Sequence, residues 1–78
     1  MLYFFHLRDG VDTLLDPEGR NLPDALGIAA AALREARSII SHDAADGYVK
    51  LNQRIDVEDA DGVVLHTQHF RDAIRIIG

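Results

Sequence analysis

The sequence predicts an α+β domain in two layers, with one helix packed on a four-stranded, mainly antiparallel sheet in the order β-β-α-β-β. Three observations carry this expectation. Leu22–His42 holds the one sustained helical pattern, in which Leu26, Ala29 or Ala30, Leu33, Ala36 or Arg37, and Ile40 recur at helical spacing. Leu51, Gln53, Ile55 and Val57 alternate with Lys50, Asn52, Arg54, Asp56 and Glu58, the period of a half-buried strand. The other apolar runs are short and bounded by turn residues, so the helix has a sheet to cover.

Leu2–Arg8 is rich in aromatic residues and ends at Asp9-Gly10, a dipeptide suited to a tight hairpin. The expected return strand is Val11–Leu15. A two-residue loop sets Phe5 opposite Leu14 and His6 opposite Thr13. Tyr3, Phe5, Leu7 and Leu14 then share the core face, and Leu2, Phe4, Val11 and Leu15 share the other. Asp16-Pro17-Glu18-Gly19 reads as a turn, and Arg20-Asn21-Leu22 leads into the helix. Pro23 and Asp24 start the helix: proline fixes φ near its helical value, and the carboxylate accepts from free first-turn amides. Gly27 reads as a site of close helix–sheet packing. The helix is expected to fray after His42, with Gly47 as a stop.

After the strand Lys50–Glu58, Asp59-Ala60-Asp61-Gly62 reads as a hairpin connection into a last strand, Val63–Phe70. With Glu58 facing Val63, Val57 meets Val64, Ile55 meets His66 and Leu51 meets Phe70. Val64 and Phe70 then point inward, with His66 and Gln68 on the face of Gln53. Val63, Leu65 and Thr67 point outward. The segment Arg71–Gly78 reads as a short helical turn or an extended arm, too apolar at Ile74, Ile76 and Ile77 for an idle tail.

Composition bounds the function. Seventy-eight residues allow one domain, spanning 1–78, with a small core. The chain has no cysteine, so neither a disulfide nor a thiolate metal cage can staple it, and self-association is the easiest source of extra stability. Apolar residues make up 47% of the chain, which argues for a folded domain. A net charge of −5 opposes non-specific binding to phosphate backbones. The basic pairs Arg34/Arg37 and Arg71/Arg75 have acidic neighbours and read as solvated charges. The opening residues have neither the basic leader nor the long apolar core of a signal peptide, and no run approaches the roughly 20 apolar residues of a membrane span. A soluble cytoplasmic protein is expected.

No catalytic or cofactor pattern stands out. His66 and His69 fall on opposite faces of a strand, and His6 could meet His69 only if the first and last strands were neighbours. His42 reads as a partner for the helix C-terminus. The acidic residues gather at turns: Asp9, Asp16 with Glu18, Asp43 with Asp46, and Asp59 with Asp61. The last pair superficially resembles a calcium loop but lacks the spaced ligands and closing glutamate. Ser38 and Ser41 lie on the helix without a nucleophile elbow. No phosphate loop, dinucleotide fingerprint or zinc pattern is present. The sequence therefore predicts no enzyme, no metal and no cofactor. Its functional hint is the face the helix leaves open, where Leu2, Phe4, Val63 and Leu65 form a candidate partner interface for a homodimer or another protein. A nucleic-acid-binding regulator, with Tyr3 or Phe4 as an aromatic platform, is the alternative.

At Tyr3-Phe4-Phe5-His6-Leu7-Arg8-Asp9-Gly10, Asp16-Pro17-Glu18-Gly19, Leu22-Pro23-Asp24, Asp61-Gly62 and Phe70-Arg71-Asp72-Ala73, the chain resembles a family of short uncharacterised proteins. The family is common in alphaproteobacteria such as rhizobia and sphingomonads and is classed as a domain of unknown function. The resemblance spans essentially the whole chain and implies a bacterial origin, with no activity or catalytic residues to transfer. This chain departs from the family at Gln68 and His69, where members tend to have an apolar residue and a proline. A looser, fold-level analogy is to antitoxin domains of the HicB sort, whose open sheet binds a toxin.

Overall fold

A computed structural model describes all 78 residues. It contains strands β1 (Leu2–Arg8), β2 (Thr13–Leu14) and β3 (Arg20–Asn21), helix α1 (Ile28–Ala45), and strands β4 (Arg54–Glu58) and β5 (Val64–His69). The class is the expected α+β, with one helix on an antiparallel sheet. The sheet has five strands because the helix lead-in, Arg20–Asn21, also pairs with β1. Strand order is β2-β1-β4-β5. Tyr3, Phe5, Ile55 and Val57 from the sheet, Ile28, Ala31, Ala32, Ala36 and Ile40 from the helix, and Phe70 and Ala73 beyond β5 form one buried cluster.

The expected faces hold for β1, β4 and the His66–Gln68 part of β5, but Leu14, expected in the core, is 70% exposed. The registers are shifted, by two residues in the first hairpin and over Arg54–Val57 of the second, and by one at Glu58. Leu7 faces Leu14 and Arg8 faces Thr13, because the first loop holds four residues rather than two. Asp9 closes it: its amide donates to the Asp12 carbonyl at 3.1 Å, and its carboxylate accepts from the Asp12 amide at 3.1 Å. The strand Val11–Leu15 shrinks to two residues, and Val11 and Leu15 are exposed. In the second hairpin, Val57 faces His66 and Ile55 faces Gln68, while Glu58 faces Val64. Leu65 is the extra residue of this bulge. Val63 lies in the turn and Val64 is exposed rather than inward. Phe70 is fully buried, but in a 3-10 turn, Phe70–Asp72, whose first amide donates to the Gln53 carbonyl at 3.0 Å. β4 begins only at Arg54, opposite the last residue of β1. Beyond that point no partner remains, and Lys50–Gln53 is not strand.

The helix differs in phase. Asp24 caps the start, its carboxylate accepting from the Leu26 amide at 2.9 Å, but the first turn, Ala25–Gly27, is 3-10. Its tighter step takes Leu26 off the helix face, and the side chain is 90% exposed. The buried stripe instead runs through Ile28, Ala32, Ala36 and Ile40 at four-residue spacing, with Ala31 beside it. Ala29 and Ala30 face water. Alanine fits any face, so the alanine run alone fixes no phase. An added Cβ at Gly27 would meet nothing within 4 Å, so close packing is not its role. The helix passes His42 and ends at Ala45, where the Gly47 amide donates to the Ala44 carbonyl and the Tyr48 amide to the Asp43 carbonyl. That is the two-bond arrangement of a Schellman motif.

The segment Asp16–Gly19 organises one side of the sheet. β1 gives its whole edge from Phe4 to Arg8 to β4. Its other edge is shared, with β3 on Leu2 and Tyr3 and β2 on Leu7 and Arg8. The gap between them is filled by a side chain. Asp16 Oδ2 accepts from the Phe5 amide at 3.2 Å, and the Asp16 amide donates to His6 Nδ1 at 3.1 Å. Asp16 Oδ1 accepts from the amides of Glu18 at 3.3 Å and Gly19 at 3.1 Å. Gly19 has φ of +73°, and a Cβ there would lie 2.9 Å from the Tyr3 carbonyl oxygen. Both the conformation and the close approach require glycine.

Replacing Gly19 by alanine is therefore expected to cost about 2–3 kcal/mol, combining left-handed strain with a backbone clash. Gly10→Ala, with φ of +91° and open space around it, should cost about 1–2 kcal/mol. Urea unfolding followed by far-UV circular dichroism measures the difference.

Candidate interaction surface

The sheet face away from α1 is divided. Its centre is ionic. Asp56, 7% exposed, sits on β4 opposite His6 of β1 and Thr67 of β5. Its Oδ2 accepts from Arg8 Nε at 2.7 Å and Arg54 Nε at 3.3 Å, and its Oδ1 accepts from the Thr67 hydroxyl at 2.8 Å. Arg8 Nη2 also donates to Glu58 Oε2 at 2.7 Å, and Nη1 donates to the Thr13 hydroxyl at 3.1 Å. His6 Nε2 lies 3.7 Å from Glu58 Oε1, and the His6 ring stacks on Phe4 at a 6.1 Å centroid separation. One guanidinium thus ties three strands together.

Burial pushes the Asp56 carboxyl up, but hydrogen bonds from Thr67 and Arg8 and the charge of Arg54 outweigh it and hold the group below its ordinary value. Asp16 behaves alike: burial raises it, and the Phe5, Gly19 and Glu18 amides with the Arg20 charge lower it further. Hydrogen bonds to a charged, half-buried group are worth about 1.5–3 kcal/mol, against about 0–1 for an exposed ion pair. The Arg8–Asp56 contact belongs to the first kind. Arg20–Glu35, 2.7 Å apart but open to water, belongs to the second.

The apolar candidates gather at one end of this face. Phe4 faces Glu58, which in turn faces Val64, with Leu65 bulged beside it. Leu2 lies two residues beyond Phe4 on the same side of β1, and Val63 is in the adjoining turn. Leu2 is 37% exposed, Val63 54% and Leu65 44%; Phe4 is half-buried. The four residues therefore share a corner around Glu58, not a continuous apolar face. Val11 and Leu15 lie outside it.

Other candidates separate. β4 lies between β1 and β5, so His6 and His69 are not on neighbouring strands. His66 points to the helix side with its Nε2 buried and unpartnered. No group of three His, Cys, Asp or Glu side chains is placed to hold a metal ion. In the Asp59–Gly62 turn, Asp59 Oδ1 accepts from the amides of Asp61 and Val63. Arg37, expected to be merely solvated, donates Nε to the Ala73 carbonyl at 2.8 Å and pins the chain after β5.

Two features escape the sequence reading. One is the ionic cluster: its members from β4 were legible as outward-facing, but Arg8 joins them only through the β1–β4 register. The other is a groove of about 370 Å³ on the helix side, beyond the helix edge. Phe5, Leu7, Leu14, Leu15, Ile39 and Ile55 supply its apolar lining, with Asp16, Glu18, Arg20 and Glu35 as its charged groups. Arg20 lies 4.4 Å above the Phe5 ring. The spacing of Glu35 and Ile39 on one helix face is the signal that could have found it.

Comparison with known proteins defines a class. The model of the DUF6894 family, a domain of unknown function, matches residues 2–71, and the chain belongs to this family. No curated protein and no solved structure matches the chain. No helix is long and apolar enough to cross a membrane.

Because the folded-state values of Asp16 and Asp56 lie below their unfolded ones, the stability they contribute is present above the unfolded value and lost as pH falls through and below about 4. Asp56→Asn is expected to cost about 2 kcal/mol at neutral pH, by leaving Arg8 and Arg54 short of a partner. It should also flatten the acid limb of the stability profile. Urea midpoints measured between about pH 7 and pH 3 check both.

Proposed function

We propose that this protein is a small, non-catalytic interaction module of the bacterial cytoplasm that self-associates through the corner formed by Leu2, Phe4, Val63 and Leu65. The observation that carries the reading is that these side chains gather at one end of the open sheet face, with Leu65 on β5, a free sheet edge. β5 has neither a charged residue nor a proline to guard it against edge-to-edge pairing, and its one irregularity is the bulge at Leu65. The corner combines the apolar side chains around Glu58 with the charged Arg8 and Asp56 alongside, a mixture found in protein interfaces. A homodimer also suits a chain of 78 residues without disulfides. An alphaproteobacterial source fits the opening Tyr3–Gly10 motif. A nucleic-acid-binding regulator has less support. The net charge is −5, and Arg37, one of its two helical cations, is engaged with Ala73.

Light scattering coupled to size exclusion over a range of protein concentrations tests the proposal. A discrete dimer is expected, with Phe4→Ser and Leu65→Ser each weakening it several-fold while circular dichroism stays unchanged for Leu65→Ser. A strict monomer at high micromolar concentration, or assembly indifferent to both changes, overturns it.

A further inference from the structure

The groove beyond the helix edge and the segment after β5 have matching chemistry. Ala73 is buried and Ile74 packs on the core, and the Arg37 guanidinium holds the Ala73 carbonyl, so the chain is anchored there. Past the anchor, Ile76 is 78% exposed and Ile77 86% exposed, next to an exposed Arg75. This is a cation followed by two uncovered β-branched side chains on a fixed base. The groove offers the complement: apolar walls from Phe5, Leu14 and Ile39, and three carboxylates, Asp16, Glu18 and Glu35, against one guanidinium, Arg20. Its volume lies within the range of sites that enclose a small ligand, about 300–1,000 Å³.

The two features cannot meet within one chain. Glu35 and Ile39 lie four residues apart on one helix face. Arg37, midway in sequence between them, is turned about 160° from each, at roughly 100° per residue. The tail therefore leaves from the opposite flank of α1. We infer that the groove receives Arg75-Ile76-Ile77 of a second copy of this chain, the isoleucines on the apolar walls and Arg75 beside Glu18. Glu18 is the partner of choice because Asp16 is occupied by backbone amides and Glu35 by Arg20. This inference does not depend on the Leu2–Phe4–Val63–Leu65 corner.

The absence of cysteine allows a direct test on the full chain. Leu14→Cys and Ile77→Cys proteins, mixed and mildly oxidised, are expected to form the mixed disulfide several-fold faster than an Ile77→Cys and Val49→Cys pair. Glu18→Lys in the Leu14→Cys protein should remove that advantage, and Arg75→Glu in the Ile77→Cys protein should restore it. Persistence of the cross-link in the Phe4→Ser, Leu65→Ser background would separate the two surfaces. Equal rates for the test and control pairs, or no response to the charge exchange, overturn the inference whatever the fate of the corner.

Discussion

The Asp16 carboxylate is the contact on which the rest of the architecture depends. β1 needs partners on both edges, yet one of its edges is served by two fragments of two residues each. Between those fragments the Phe5 amide would be left without a partner, at a cost of about 1–3 kcal/mol for a buried donor. Asp16 supplies that bond and also gathers the Glu18 and Gly19 amides, which returns the chain to β1 as β3. β3 in turn fixes where the helix begins. Without this turn neither the entry to α1 nor the groove beside it would have its position.

The division of the open sheet face follows from charge placement. A single helix protects one side of the sheet, and water reaches the other. Burying Asp56 there succeeds only because three donors converge on it from β1, β4 and β5. The cluster fastens the three longest strands across their width and confines exposed apolar surface to the end near Glu58. A chain of this size has limited core area, so such cross-strand bonds matter more than they would in a larger domain.

The helix settles the remaining surface. Ala32 and Ala36 are fully buried, and their small side chains leave Tyr3, Phe70, Ile55 and Val57 to supply the bulk of the core. α1 lies against β4 and β5, so the Phe5–Leu7 flank of β1 is left beside an open groove. An anchored apolar tail leaves from the other flank.

The β-β-α-β-β order of the main elements and the inward sets Tyr3–Phe5–Leu7 and Gln53–Ile55–Val57 were determined by the sequence alone. Period-two alternation and turn residues act locally and need no knowledge of partners. The register was not legible, because shifting a hairpin by two residues preserves every face and so leaves the pattern unchanged. Helix phase was likewise open where alanines occupy every side. The resemblance anticipated a domain family of unknown function over nearly the whole chain but brought no residue roles with it. Only tertiary structure decided that Asp16 would stand in for a strand, that Arg8 would join Asp56, and that tail and groove would lie on opposite flanks of α1. Each of these depends on contacts between residues distant in sequence, and local preference carries no term for them.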